Sequence, residues 1–326
     1  MIHAKPPGRQ RLSLLIRWCP CTALAAISLV FSVTTMAVQP QPGKMRVIID
    51  ADTANEVDDL FAIARALVAP EFQIEGLTSA LWRHRGTPNS VELSQALNEK
   101  LLDLAGLRDT IAHPQGSAEP LRDIRTPQDS PAARHIIQRA HAGSPTDKLY
   151  VLILGAATNP ASALLLDPTI ADKVVFAFID GDFRDGKWGP GIYNWKNDIA
   201  AVQVMFASSV EYYHMPAPSV SGDLVMTRSD ARQHLAGRGA LWDFLVEYWE
   251  KHPRYGKIER TRMWDVALVQ AFLRPQLAQR TITGAPIVHA VDRVEQFPDN
   301  PRRVTVFSKI DVSGMLADYW KAVGDR

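Results

Sequence analysis

The stretch Val47-Ile48-Ile49-Asp50-Ala51-Asp52-Thr53-Ala54-Asn55-Glu56-Val57-Asp58-Asp59-Leu60-Phe61-Ala62 sets five acidic residues within ten positions, between an apolar run and an amphipathic one. A run of Val and Ile that ends in carboxylates reads as a buried parallel strand, with Asp50 and Asp52 at its C-terminal end. Apolar residues at helical spacing resume at Leu60, Ile63, Ala64 and Leu67, so the acids fall in a strand-to-helix turn. Open α/β sheets bind ligands beyond the carboxyl ends of their strands, and clustered oxygen ligands there suit a hard cation such as Ca2+ or Mg2+. The plainer alternative is that Asp58 and Asp59 only favour a helix N-terminus through its dipole, while the other acids are solvated.

A chain of 326 residues, 46% of them apolar, can bury a large core. No Asp or Glu occurs before Asp50, Lys5, Arg9, Arg11 and Arg17 make the start basic, and Trp18 to Ala37 is uncharged and mostly apolar. This is a secretory signal pattern, with cleavage expected after Ala37, a linker over 38–45 and one domain over 46–326. An uncleaved membrane anchor is the competing reading. The mature protein is thus expected outside the cytoplasm, in the periplasm or secreted. Both cysteines, Cys19 and Cys21, lie in that leader, which excludes disulfides, zinc-thiolate sites and a cysteine nucleophile from the domain. Without the leader's basic residues the chain carries a small acidic excess, so it has no basic field for nucleic acid.

Strand and helix patterns alternate along the rest. Strands are expected at Phe72 to Ala80, Tyr150 to Leu154, Lys173 to Ile179, Glu211 to Met215 and Arg303 to Ser308. Helices are expected at Ser90 to Ala105, from Asn159 to Leu166, and at Asp198 to Ser208, Ala240 to Lys251, Met263 to Phe272 and Val312 to Val323. Thr110 to Ser130 and Asp182 to Asn194 read as loops. The alternation predicts a single α/β domain with an open, mostly parallel, Rossmann-like sheet flanked by helices. There is no G-x-S-x-G elbow, P-loop, G-x-G-x-x-G after a strand or H-E-x-x-H. Adjacent aspartates in one turn also fit chelation better than the two opposed carboxylates of an ordinary glycosidase.

Four segments, in order, resemble the nucleoside hydrolases, the inosine/uridine-preferring N-ribohydrolase superfamily. Asp50-Ala51-Asp52 with Asp58-Asp59 resembles that family's calcium-binding aspartate signature, in a variant form with a longer turn. Leu154-Gly155-Ala156-Ala157-Thr158-Asn159 resembles its Leu-Gly-Pro-Leu-Thr-Asn turn, Tyr193-Asn194 its Glu-Phe-Asn segment, and Trp264-Asp265 its His-Asp pair. The likeness spans about residues 46 to 290. It implies an N-glycosidase that hydrolyses a ribonucleoside or related ribosyl compound with Ca2+ held by Asp52, Asp59, Asp265 and the carbonyl of Thr158. It also implies that Asp58 and Asn194 grip the ribose, and that Asp52 takes the proton of a water whose pKa the cation lowers. Asp50 is expected to orient the turn. Homo-oligomers are common in such a family.

The chain departs from the family at four places. Asn55-Glu56 lengthens the first turn, Ile192 replaces a sugar-binding glutamate, Arg83 or His84 replaces an asparagine, and Trp264 replaces a histidine that can protonate the leaving base. Trp has no transferable proton near neutral pH, so His84 or His214 is a possible substitute acid. Trp82, Trp188, Trp195 and Trp264 are either core residues or an aromatic base pocket, with Trp188 and Trp195 the best placed to stack on substrate. Asp180 and Asp182 either cap the Gly-rich loop or reach ligand. The altered ribose positions leave two alternatives open: hydrolysis of another glycoside, or sugar or nucleoside binding without turnover.

Overall fold

The computed structural model describes Met1 and residues 43–83 and 86–324; the expected leader and most of the linker, His84 and Arg85 lie outside the described residues. The elements run β1 (Met45–Ala51), α1 (Asp58–Leu67), β2 (Phe72–Ser79), α2 (Ser90–Leu104), α3 (Pro131–His141), β3 (Leu149–Ile153), α4 (Thr158–Leu166) and β4 (Val174–Ile179). A short hairpin, β5 (Phe183–Arg184) and β6 (Lys187–Trp188), precedes α5 (Asn194–Asn197), α6 (Ile199–Ala207) and β7 (Glu211–Met215). Then follow β8 (Val225–Thr227), α7 (Arg228–Leu235), α8 (Ala240–Lys251), β9 (Arg260–Arg262) and α9 (Trp264–Leu273). The chain closes with β10 (Ala278–Gly284), β11 (Ile287–Ala290), β12 (Arg293–Glu295), β13 (Arg303–Ile310) and α10 (Val312–Gly324).

Seven strands form one sheet in the order β10-β13-β7-β4-β3-β1-β2. Every neighbouring pair is parallel except β10 with β13, which is antiparallel at one edge. The central strands are apolar on both faces because both faces are covered. Along β1, Val47, Ile49 and Ala51 join a core layer with residues of α1, α8, α9 and α10, while Ile48 joins a second layer with residues of α3, α4 and α6. The α/β architecture expected from the alternation is therefore the one observed.

The chain leaves β1 for β2 on one side and later returns to its other side as β3, so the direction of winding reverses between β1 and β3. At such a point the connections diverge and a crevice opens beyond the strand ends. Two features let the turns after β1 and β3 meet there. Asp50, fully buried, accepts from Thr78 Oγ1 at 2.6 Å and Asn159 Nδ2 at 2.8 Å, tying β1 to β2 and to the first turn of α4. Gly155, just after β3, lies so close that a Cβ there would sit 2.7 Å from Ala80 Cβ and 2.9 Å from Asp52 Cβ.

Several elements escape the sequence patterns. The Asp182 to Asn194 loop holds the β5–β6 hairpin, whose turn residues Asp185 and Gly186 have φ of 53° and 76°; Asp-Gly is a strong signal for such a turn. Helix α3 follows directly on the expected loop, capped by Ser130 and started by Pro131, and α7 is capped by Thr227. Both are polar enough to hide their period. Strand β10 carries Gln279, Arg280, Thr281 and Thr283 on a sheet edge, where water solvates polar side chains.

Gly155→Ala is expected to destabilise the fold by about 1–3 kcal/mol, the range for overpacking a tight contact. Chemical denaturation checks the effect.

Candidate active site

A cavity of about 560 Å³ opens at the carboxyl ends of β1, β3 and β4, lined at its acidic side by Asp52, Glu56, Asp58, Asp59, Asp180 and Asp265. That volume suits a small-molecule ligand. Asp58 and Asp59 occupy the first turn of α1 and Asp265 the first turn of α9, and these two helices pack side by side. Two helix N-termini, each with a partial positive charge, thus converge on the carboxylates. Oxygens of Asp58, Asp59 and Asp265 lie within 4.8 Å of one another, and all three residues are buried.

Among the described residues no basic side chain pairs with Asp52, Asp58, Asp59 or Asp265. Asp59 Oδ1 is buried with no hydrogen-bond partner. Burial is the first cause that pushes all four carboxyls up, and their mutual repulsion, with Glu56, adds to it; Asp58 is raised to about 8. A divalent cation would remove both penalties at once, so the donor set fits a hard metal ion. The grouping differs in one respect from the expected ligand set, since Asp58 joins Asp59 and Asp265 while Asp52 stands beside them.

Asp52 Oδ2 accepts from Asn55 Nδ2 at 2.8 Å, and Asn55 Oδ1 accepts from the Tyr193 hydroxyl at 2.5 Å. The residue that lengthens the first turn therefore links Asp52 to the segment after β4. That segment is anchored by Asp180, which is buried at the end of β4 and accepts from the backbone N–H groups of Ile192, Tyr193 and Trp195. Asn194, from the next residue along, donates through Nδ2 to the carbonyls of Leu154 and Ile179, bridging the ends of β3 and β4. Among the described residues its Oδ1 makes no hydrogen bond, and Asn194 lines the cavity.

Other expected site residues are placed differently. Of the turn after β3, Leu154 lines the cavity and Thr158 does not; Thr158 is buried at the start of α4, its hydroxyl donating to Asp198 Oδ2 at 2.7 Å. The expected Thr158 carbonyl ligand is corrected to this extent: from this turn the structure places Leu154, at the strand end, in the cavity lining and not Thr158. Trp188 and Trp195 are also corrected, being core residues that do not line the cavity. Trp188 packs edge-on against Phe183, Phe206 and His214 and donates to the Gly284 carbonyl, and Trp195 is fully buried against Phe206 and His214. His214 sits in the same aromatic cluster, and desolvation lowers its pKa to about 3, so it holds no proton to give near neutral pH. Arg83 pairs with Glu119 on the surface at 2.6 Å. Asp182 does not line the cavity, and of the four tryptophans only Trp264 does.

The family model for the inosine-uridine preferring nucleoside hydrolases matches residues 47–317. The chain belongs to that family. Nucleoside hydrolases of known structure share its fold: a plant nucleoside hydrolase at 19% identity (TM-score 0.64, 86% of this chain and 99% of that one) and an inosine-guanosine nucleoside hydrolase at 17% (0.63, 86% and 98%). The inosine-uridine preferring nucleoside hydrolase of Bacillus anthracis is 18% identical (0.63, 86% and 99%). A search of curated proteins finds no match. As a nucleoside hydrolase, the protein is an N-glycosidase of a metal-dependent family, and the buried Asp58, Asp59 and Asp265 are the group in its cleft that can bind a metal.

The sign of the pH dependence in the metal-free protein follows from Asp58. Its carboxyl rises from an ordinary 3.8 to about 8 on folding, so its stabilising contribution is complete below the unfolded value and is lost as the pH climbs to the folded one. The metal-free protein should therefore melt at lower temperature at pH 8 than at pH 5, and saturating divalent cation should raise Tm more at pH 8. Equal metal-induced shifts at both pH values, by scanning calorimetry, would contradict this.

Proposed function

We propose that this nucleoside hydrolase cleaves the N-glycosidic bond of a ribonucleoside or related ribosyl compound and depends on Ca2+. The observation that carries the reading is the convergence of uncompensated, buried carboxylates at the point where the sheet reverses its winding. An all-carboxylate donor set favours a hard cation, and Ca2+ tolerates the irregular geometry that four aspartates from two helices and a turn impose. Asp58, Asp59 and Asp265, with Asp52 beside them, would hold it. A bound cation would supply charge neutralisation and Lewis acidity.

The chain's own residues then do the following. Asp52, whose proton affinity burial raises, accepts a proton from the attacking water. Asn55 orients that carboxylate. Asn194, clamped by two strand-end carbonyls, presents its free oxygen to a sugar hydroxyl. The nearby carboxylates stabilise the positive charge that develops on the sugar ring as the base departs. Among the described residues no histidine lines the cavity, and the Trp264 indole is no acid near neutral pH, so no described side chain there offers an imidazole proton to the leaving base.

Release of free ribose from a panel of purine and pyrimidine ribonucleosides, with Ca2+, tests the reading. Asp52→Asn should cut turnover by about 10²–10⁴, the usual worth of a general base. Full activity in Asp52→Asn, or a protein that neither holds nor gains divalent metal, would overturn it. Asn55→Ala should lower kcat by about ten- to a hundredfold, as loss of a group that orients a catalytic ligand does. Because the Asn55 bond favours the ionised form of Asp52, its loss should also move the acidic limb of the pH profile to higher pH.

A further inference from the structure

The cavity has two electrical halves. Besides its acidic floor it is lined by residues of the β8–β9 pair, in which Val225 faces Arg262 and Thr227 faces Arg260. Arg260 and Arg262, two residues apart on one strand, both line the cavity, as does Arg254. Arg254 is already engaged, with Glu56 Oε1 at 3.7 Å and its guanidinium 5.1 Å from the Tyr255 ring centre. Arg260 and Arg262 are in no ion pair among the described residues. Glu259, the nearest acid in sequence, is turned to Arg228 at 3.0 Å.

Solvated surface arginines are ordinary, but these two share a cavity with a carboxylate cluster and still do not pair with it. Arg262 is held elsewhere: its guanidinium lies 5.4 Å from the ring centre of Trp264, which also lines the cavity. Trp264 is in turn fixed from behind by Gly222, where a Cβ would sit 2.7 Å from Trp264 Cζ3. Two forked donors are thus kept exposed in the same cavity as a floor that suits a neutral ribose and a cation. A neutral nucleoside offers them only uncharged acceptors on its base and sugar. A phosphate offers charged ones, and guanidinium matches phosphate oxygens with paired, charge-assisted hydrogen bonds.

We infer that the substrate is a phosphate-bearing ribosyl compound, of the nucleoside phosphate class, whose phosphate is received by Arg260 and Arg262 while its ribose sits at the acidic floor. The inference rests on the hydrolytic reading of that floor. For a nucleoside 5′-phosphate, the C1′–N bond breaks and its electron pair leaves with the base. Water forms the new C1′–O bond, one of its protons passes to Asp52, and the base takes up a proton on release. The products are ribose 5-phosphate and free base.

The test uses the full chain with Ca2+, and the double variant Arg260→Met/Arg262→Met, whose altered side chains are both exposed. Inosine, adenosine and uridine are compared with their 5′-monophosphates for kcat/KM. Calorimetry measures binding of ribose 5-phosphate and of ribose. The expected result is a preference for the phosphates of about tenfold or more that collapses toward unity in the double variant, in line with the strength of charge-assisted bonds. Nucleosides used as well as or better than their phosphates, with a ratio the double variant leaves alone, would overturn it. If no substrate turns over, binding still decides: ribose 5-phosphate held by the native protein and lost in the double variant upholds the phosphate site while sinking hydrolysis. Binding without preference for the phosphate sinks the inference itself.

Discussion

Burying several carboxylates side by side, with no basic residue among them, is the constraint on which the rest of this structure depends. Unshielded, they would repel one another and lose hydration, and their raised proton affinities express that cost. The fold answers with the means available to a polypeptide. Two helices aim their N-termini at the cluster, and Asn55 donates to the carboxylate nearest the turn. What remains uncompensated is the capacity to bind a cation.

That capacity is placed by topology. The cleft lies where β1 has β2 on one side and β3 on the other, and the strand-end turns supply its residues: Asp52 after β1, Leu154 after β3, Asp180 after β4. Behind them, Asp50, Asn159 and Thr78 hold the strand ends together without touching the cavity. The residues that bind and the residues that position them alternate along short stretches of sequence. Asp50 and Asp52 differ by two positions yet serve on opposite sides of the turn.

Much of this was legible in the amino-acid order. Strands with both faces buried are uninterrupted apolar runs, so β1, β3 and β4 declare themselves, and a carboxylate at the end of such a run calls for a role, as an anchor at Asp50 and Asp180 or at the cavity at Asp52. The acidic turn was readable for that reason, whereas Asn194 and Asp265 were readable only through the resemblance of Tyr193-Asn194 and Trp264-Asp265 to the family's segments. Thr158 misled because a motif records order along the chain, whereas cavity lining depends on where the strand ends, and the strand ends at Leu154. Trp188 and Trp195 misled because a Gly-rich loop looks exposed, and nothing local reveals that the hairpin folds back onto Phe206 and His214. Arg260 and Arg262 gave no signal: their strand is three residues long and pairs with another of three, too short for a period to show.

Asp180 bears on how a ligand enters. Its two oxygens accept three backbone N–H groups from the segment over 192–195, so swinging that segment aside would strand a buried carboxylate without donors. This side of the cleft behaves as a fixed jamb. The β8–β9 pair is anchored by Met226, which is buried in the core, and presents Arg260 and Arg262 as exposed side chains. The cleft therefore offers an incoming molecule two kinds of rim: a backbone segment pinned by its own hydrogen bonds, and exposed arginine side chains, which change rotamer far faster than a pinned backbone moves.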